Sequence, residues 1–400
     1  KNLKKCKYTL YMKLTNQSEK NIRFILDNYS SLININKCNS LYMKKFFNDI
    51  KRAEEYVSNI EKNIRVEDVK HISDINKPTN YNSTFFPEYI KEYIELKCLY
   101  LFTVELNILS RKFSIYFYLC EKKSNLDYFK KYVDMIATWL YIASEHSSNM
   151  CANTLNIYIY LSHFKKTIPT SSLDIMGVDN VNTAFTTSCN PNGEIVIFRQ
   201  EEWFKVFIHE TFHVFGLDFS NINSNEQKKL MKDIFPINST FNIEESYCEF
   251  WARVYNILLF SYDNFNKYED FKMCFEINIE LEKIHSMIQV NKVLQFMGLN
   301  YKHLCMPSLQ HICRKLYKEN SNVFAYYVLT SILLNNLNDT FKWCGVNNIS
   351  MLRFKKNPQT LTKYVEYIKS KYKKKKYVEY TSKIKKFNTN STVMSLIEYI

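Results

Sequence analysis

The chain has 400 residues, of which 46% are hydrophobic and 24% are charged, and its formal net charge is +14. This composition supports a large buried core and excludes an intrinsically disordered chain, and the length predicts two or three regions that share cores. Only five glycines and seven prolines occur, and so few turn signals favour long helices over many short strands.

The N-terminal sequence and the cysteines predict where the protein resides. Residues 1–14, KNLKKCKYTLYMKL, contain no apolar stretch long enough for a signal peptide. The eleven cysteines are scattered singly and no CxxC pair occurs. An odd number of isolated cysteines in a long chain predicts free thiols in a reducing compartment. We therefore expect an intracellular protein.

Residues 1–150 are predicted to form a helical N-terminal region. From Leu41 to about His146, apolar residues recur every three and four positions, as on one face of a helix. Pro87 opens PEYIKEYIELKCLYLFTVELNIL (87–109), and proline suits the first turn of a helix, so we predict one long helix there. A further long helix is predicted for NLDYFKKYVDMIATWLYIASEH (125–146).

The pattern changes near residue 153, where strands are predicted. TLNIYIYLSHF (154–164) alternates and is rich in β-branched and aromatic residues. VNTAFTTSC (181–189) and EIVIFR (194–199) are two further candidate strands, separated by the turn signal NPNG. A helix, FKVFIHETFHVFG (204–216), follows with Glu201 and Glu202 at its start and Gly216 at its end.

Helical patterns return after Asn221. They cover 242–260, 268–296 and the segment around Ala325. The last of these, SNVFAYYVLTSILLNN (321–336), is punctuated with asparagine and predicts a buried helix, so no membrane span is expected. We predict a mostly helical α+β chain with a small mixed sheet, a central core at 151–260 and a helical C-terminal region at 261–400.

The central helix carries two histidines, His209 and His213, with Glu210 between them. Residues four apart share a helix face, with Cβ atoms about 5–6 Å apart. Two such imidazoles can bind one zinc ion at about 2.0–2.1 Å, and Glu210 would then take a proton from the attacking water and pass it to the leaving amine. The neighbouring residues are apolar, and buried polar groups need partners, which a metal would provide. Two core histidines with other partners are the alternative.

This order of a strand, an edge strand, another strand and an HExxH helix resembles the core of the zincin metallopeptidases. The block from about residue 156 to 219 is also similar to uncharacterised zincin-like proteins of large nucleocytoplasmic DNA viruses, which would place the chain in the cytoplasm of a host cell or in a virion. The resemblance implies zinc-dependent hydrolysis of peptide bonds. It also implies that an edge strand at Asn182, Thr183, Ala184 and Phe185 pairs with an extended polypeptide substrate.

Two zincin branches differ in their third zinc ligand. HETFHVFGLDF follows the matrix-type pattern HExxHxxGxxH as far as Gly216, but the last ligand position is Phe219, which cannot bind metal. Asp218 is one position too early. The gluzincin branch takes a glutamate from a later helix, and ESYCE (245–249) has that form.

In the gluzincin interpretation, which we favour, Glu245 binds zinc and Glu249, one turn further on, hydrogen-bonds a ligand imidazole. Glu244, Glu249 and Asp218 remain alternative ligands. Glu245 could instead cap its own helix, with Asn242 as the N-cap residue.

Several other residues could have chemical roles. Tyr326, Tyr327 and His285 are candidates for stabilising the oxyanion of a tetrahedral intermediate. The segment HLCMPSLQHIC (303–313) contains two histidines and two cysteines that could bind a second metal or simply pack between helices.

The Lys-rich run from Lys369 to Phe387 could contact nucleic acid or an acidic surface, or could be a solvated helix face. Two functions therefore compete with the peptidase. One is an inactive zincin fold that serves as a structural or virion component, and the other is a basic protein associated with nucleic acid.

Overall fold

The computed structural model describes residues 14–69, 76–120 and 127–398, without the side chains of residues 127 and 128. The strands are β1 (Asn63–Asp68), β2 (Tyr100–Ile108), β3 (Arg111–Leu119), β4 (Thr154–Ser162), β5 (Ala184–Thr186) and β6 (Asn192–Arg199). The helices are α1 (Asn16–Tyr29), α2 (Ser40–Val57), α3 (Glu88–Lys97), α4 (Asp127–His146), α5 (Val178–Val181), α6 (Trp203–Val214), α7 (Asn225–Ile234), α8 (Glu244–Asn264), α9 (Tyr268–Phe296), α10 (Tyr301–Cys305), α11 (Gln310–Leu316), α12 (Thr330–Leu334), α13 (Leu337–Asn347), α14 (Pro358–Lys371) and α15 (Lys375–Lys383). A π-helical turn, Phe324–Leu329, leads into α12.

The described strands form one mixed six-stranded sheet in the order β1-β2-β3-β4-β6-β5. The strands β1, β2 and β3 pair antiparallel, whereas β3 pairs parallel with β4, and β4 parallel with β6. Helix α4 provides the crossover between β3 and β4 that a parallel pair requires. The short strand β5 pairs antiparallel with β6 and forms one edge of the sheet.

Alternation along the strands divides the core between the two faces of the sheet. In β4, Ile157 and Ile159 join the main core with α4 and α6. Tyr158 and Tyr160 point to the opposite face, where they pack in a smaller cluster that includes Ile90 of α3. Since both faces are covered, the central strands are buried on both sides, as in an α/β layer.

The predicted α+β class, mostly helical with a mixed sheet, is confirmed, as are the strands at 154–162 and 192–199. The prediction of one helix over 87–109 is wrong. The helix ends at Lys97, and the rest of the segment is β2, which hairpins onto β3. The alternating β-branched and aromatic residues of both segments favour a strand, and pairing with each other overrides the helical pattern that continues from α3. Strands β1 to β3 therefore lie within the region predicted to be helical, and the β3–β4 pair crosses the predicted boundary at residue 150.

The segment 391–398, which follows α15, lies in the interior and not on the surface. Residues 392–397 are buried. The backbone N–H groups of Ser395 and Leu396 donate to the carboxylates of Glu202 and Glu282, at 2.5 Å and 2.7 Å. This segment therefore supplies donors to charged groups that are themselves buried.

Cys151 and Cys189 form a disulfide, with Cα atoms 4.9 Å apart. The prediction that the cysteines are free is wrong for this pair, and Cys6 lies outside the described residues. The parallel register pairs Thr154 with Asn192, so the residues three positions before each meet at the same end of the two strands. In the described part of the chain, no helix is long and apolar enough to span a membrane.

Candidate metal centre

Helix α6 starts directly after β6, and each of its residues is buried. Its N-cap residue, Glu202, has a φ of 58°, a left-handed conformation that is uncommon outside glycine. Lys166 Nζ donates to Glu202 Oε2 at 2.5 Å, and Lys205 lies one turn into the helix. These buried contacts hold the first turn of α6 in place, and they fix the direction in which its histidines project.

Two imidazoles of α6 and one carboxylate of α8 converge on one point. The Nε2 atoms of His209 and His213 are 3.3 Å apart, and Glu245 Oε2 lies 3.0 Å from the first and 3.4 Å from the second. Two ligands at about 2.0–2.1 Å from a tetrahedral zinc ion lie about 3.3–3.4 Å from each other. The three atoms therefore fit one metal ion, and His209, His213 and Glu245 form a group that could hold it.

In each imidazole, the other ring nitrogen, Nδ1, contacts a carboxylate. His213 Nδ1 lies 2.6 Å from Asp218 Oδ2, and His209 Nδ1 lies 3.2 Å from Glu249 Oε2. Lys205 Nζ in turn donates to both oxygens of Glu249, at 2.9 Å and 3.0 Å. A carboxylate on Nδ1 fixes the tautomer that leaves Nε2 free to bind metal and makes that nitrogen more basic.

Asp218 is thus placed beside a histidine and away from the point where the three ligand atoms meet. His213, Asp218 and Cys248 form a second possible metal group, in which Cys248 Sγ is 3.9 Å from His213 Nδ1. The two groups use opposite nitrogens of the same imidazole. Glu245 is also fixed from its other side, because Asn322 Nδ2 donates to Glu245 Oε1 at 3.3 Å.

Burial and the neighbouring charges have opposite effects on the pKa values of His209 and Glu245. Burial alone lowers the pKa of His209, but hydrogen bonds to Glu245 and Glu249 outweigh it and raise that pKa to about 9. Burial would raise the pKa of Glu245, yet the two positively charged imidazoles bring it well below its usual range. A metal ion that binds here at neutral pH must therefore displace a proton, because histidine binds metal only when its nitrogen is deprotonated.

Glu210 faces a cleft of about 490 Å³ that also exposes the three ligand residues. Burial raises the pKa of the Glu210 carboxyl group. Ala184, Phe185 and Thr186 of β5 form part of the wall opposite α6. A polypeptide in this cleft would lie between the edge strand and the helix that carries the histidines.

Within the described residues, the edge of β5 that faces away from β6 has backbone groups without a partner, to which such a polypeptide could bond. Thr183 O accepts from Phe198 N, and Thr187 N donates to Glu194 O, so odd-numbered residues bond to β6. In an antiparallel ladder the intervening residues point the other way. The backbone groups of Ala184 and Thr186 therefore face away from β6, as strand addition requires.

The structure separates the three oxyanion candidates. Tyr326 lies on the π-helical turn, lines the cleft, and has its ring centroid 5.8 Å from that of His209. Tyr327 instead donates to Thr392 O at 2.5 Å, and His285 Nε2 lies 3.1 Å from Val393 O. Both of those side chains contact the segment 391–398 and not the cleft. π-Helical turns are common at functional sites, and Tyr326 is the candidate that this turn places beside the histidines.

The other predicted sites have ordinary partners. In the segment 303–313, His303 Nδ1 accepts from Asn300 N at 2.9 Å, and the metal-capable groups found among the described residues do not include this segment. The prediction that Asn242 is the N-cap residue of α8 is wrong. The N-cap residue is Ile243, and Asn242 Oδ1 instead accepts a hydrogen bond from Lys228 Nζ. The capping role suggested for Glu245 therefore does not apply.

The Lys-rich run 369–387 forms the end of α14, the following turn and α15. Lys371 and Lys374 both bind Asp339, while Lys383 pairs with Glu379. Most of the remaining lysines are exposed. This surface is compatible with a solvated face, and contact with nucleic acid or an acidic surface stays a prediction.

Sequence reasoning missed the supporting roles of Lys205, Asp218 and Asn322. Lys205 lies four residues before His209, and helical spacing alone could have placed the two on one face. Asp218 lies just past the end of the helix, from where its carboxylate reaches back to His213. Asn322 carries no local signal, because it reaches Glu245 from a distant part of the chain.

No protein-family model matches the chain, and no curated protein or solved structure is significantly similar to it. Its function must therefore be inferred from the chemistry of its own residues.

Proposed function

We propose that the chain is a zinc-dependent metallopeptidase of the gluzincin type. The observation that carries this proposal is the convergence of His209, His213 and Glu245 at metal-ligand spacing, in a cleft that also contains Glu210. Two nitrogen ligands and one carboxylate are a ligand set typical of catalytic zinc, which keeps one position open. The edge strand β5 supports a polypeptide as the substrate, because it offers unpaired backbone groups along the same cleft.

Zinc, when bound, supplies the Lewis acidity that makes a water molecule more acidic and a carbonyl carbon more electrophilic. The Glu210 carboxylate accepts the proton of the attacking water and donates it to the leaving amine. Asp218 and Glu249 hold the imidazoles in the tautomer that binds metal. Tyr326 lines the same cleft, and its hydroxyl group would stabilise the negative charge on the former carbonyl oxygen.

Metal analysis joined to a peptide digest tests this function. The purified chain is expected to contain one zinc per molecule and to hydrolyse a mixed peptide library, whereas His213→Ala should lose the metal and the activity. His303→Ala is the matched control, because His303 belongs to the segment 303–313 and only caps α10. Full zinc content without hydrolysis of any peptide would favour the rival proposal of an inactive fold with a structural metal.

The edge strand provides a separate test. Ala184→Pro is expected to raise KM for peptides at least tenfold with little loss of stability, because proline removes a donor from the open edge of β5 and leaves the bonds to β6 intact. Steady-state kinetics and thermal unfolding measure the two effects. An unchanged KM for Ala184→Pro would show that peptides do not bind along β5.

A further inference from the structure

Strand β1 forms the edge of the sheet opposite to β5. It is six residues long, Asn63–Asp68, and all of these residues except the partly buried Ile64 are exposed. Its sequence, NIRVED, contains neither proline nor glycine. An exposed edge strand of this kind presents a row of backbone N–H and C=O groups with which another strand can pair.

The hydrogen bonds between β1 and β2 fix which backbone groups of β1 face outward. Val69, directly after the strand, donates its N–H group to Leu99 O at 2.7 Å, so the odd-numbered residues bond to β2. Successive residues of an antiparallel strand alternate in the direction of their hydrogen bonds. The backbone groups of Ile64, Val66 and Asp68 therefore face away from β2, and within the described residues they have no backbone partner.

Two oppositely charged side chains lie between these outward backbone groups. Arg65 and Glu67 share one face of β1, and both are exposed. Neither residue forms an ion pair in the described part of the chain. Opposite charges directly across two paired strands stabilise the pair, whereas like charges destabilise it. The edge therefore favours a strand that places a negative charge opposite Arg65 and a positive charge opposite Glu67.

A second copy of β1 meets this requirement in one antiparallel register. When two copies pair around Val66, Arg65 of each copy lies opposite Glu67 of the other copy. The outward backbone groups of the two Val66 residues then bond to each other, and those of Ile64 bond to Asp68 of the other copy. A two-fold axis at Val66 makes the two halves of the contact identical. The strand is thus complementary to itself in both hydrogen bonds and charge.

The neighbouring symmetric registers are disfavoured by charge. Pairing around Arg65 would place two guanidinium groups directly opposite each other, and pairing around Glu67 would do the same with two carboxylates. Charged residues often prevent an edge strand from pairing. In β1 the alternating signs disfavour these two registers and favour the one around Val66. Val66 is 49% exposed, and this register brings the two valine side chains together.

We propose that two copies of the chain associate through β1 and join their sheets edge to edge. The contact spans one short strand in each copy, and small interfaces are typical of weak association. The dimer should therefore form reversibly as the concentration rises. Since β5 lies at the far edge of each sheet, both clefts remain open in the dimer. The association does not depend on the peptidase function proposed above.

Sedimentation equilibrium of the full chain tests the proposal. The wild-type chain is expected to shift from monomer to dimer as its concentration increases. Arg65→Glu and Glu67→Arg should each weaken dimerisation at least tenfold, because each variant places like charges opposite each other. The double variant should recover the wild-type affinity, since it restores both pairs with their signs reversed. A wild-type chain that is monomeric at every concentration would overturn the proposal.

Mixing the two single variants tests the register. One variant then has two negative charges on this face of β1 and the other has two positive charges, so a heterodimer should form although neither variant pairs well with itself. Arg314→Glu and Glu366→Arg are the matched controls, because both residues are exposed on helices outside the sheet, and they should dimerise like the wild type. A dimer that is insensitive to the changes at Arg65 and Glu67 would overturn the assignment of β1 as the interface.

Val66→Pro tests the backbone part of the contact. Proline removes the N–H group at the centre of the pairing, whereas the bonds of Arg65 and Glu67 to β2 remain. Dimerisation should be lost in sedimentation equilibrium, while thermal unfolding of the monomer should change little. If Val66→Pro dimerised with the wild-type affinity, the copies would not pair along β1.

Discussion

Glu210→Gln is expected to reduce kcat for peptide hydrolysis by about 10²–10⁴-fold, the range that general acid–base catalysis supplies. Glutamine keeps the size of the side chain in its buried position, but it cannot take the proton of the attacking water. The metal ligands are untouched, so zinc content should remain at the wild-type level. Steady-state kinetics and metal analysis on the same preparation measure both quantities.

Glu54→Gln is the control for this variant. Glu54 lies on α2, away from the cleft. Burial of its carboxyl group, together with the smaller effect of the negative charge on the nearby Asp134, raises the pKa of Glu54 to about 7. It therefore tests the loss of another glutamate with a raised pKa, and its activity should equal that of the wild type. Full activity in Glu210→Gln would remove Glu210 from the mechanism, whereas loss of zinc from it would mean that Glu210 also contributes to the metal site.

Glu245→Gln is expected to release the metal under mild chelation, because an amide oxygen is a much poorer zinc ligand than a carboxylate. Asp218→Asn should weaken metal binding by only about 10–100-fold, as is usual for a residue that supports a ligand imidazole. A competition titration with a coloured chelator gives both affinities. The difference between the two variants decides which carboxylate is the third ligand.

Glu244→Gln is the matched control, because Glu244 neighbours Glu245 on α8 and lines the same cleft. Burial and the adjacent Glu245 raise the pKa of Glu244 to about 7, yet its oxygens do not belong to the group of converging ligand atoms in the described chain. Its metal affinity should stay within a few-fold of the wild type. If Asp218→Asn instead released the metal and Glu245→Gln retained it, the matrix-type ligand set would be the correct one.

Sequence patterns predicted the part of the fold in which local signals agree with tertiary structure. The strand at 154–162, the NPNG turn and the helix of His209 each combine suitable periodicity with suitable boundary residues. The prediction of one helix over 87–109 is wrong because the helical start at Pro87 is followed by a strand pattern after Lys97, and no glycine or second proline separates the two. In such a case, pairing with β3 decides the structure.

The residues of the candidate site also fall into two groups: those that a local sequence pattern predicts and those that it does not. His209, Glu210 and His213 are close in sequence, so their spacing alone places them together. Glu245 lies on a later helix, and only the resemblance to zincins connects it with the two histidines. The contacts from Asn322 to Glu245 and from Met394 to Lys205 join residues far apart in the chain. Without a local pattern, single-sequence reasoning has no means of finding such partners.

The buried segment 391–398 has a consequence for the order of events during synthesis. Glu202, at the start of the histidine helix, and Glu282 both receive hydrogen bonds from it. At about 5–20 residues per second, the ribosome adds Leu396 about 10–40 s after His213. During that interval the histidines are present, but the segment 391–398 that donates hydrogen bonds to Glu202 and Glu282 is not. The buried carboxylates at the start of the histidine helix therefore receive these donors only after nearly all of the described residues have been synthesised.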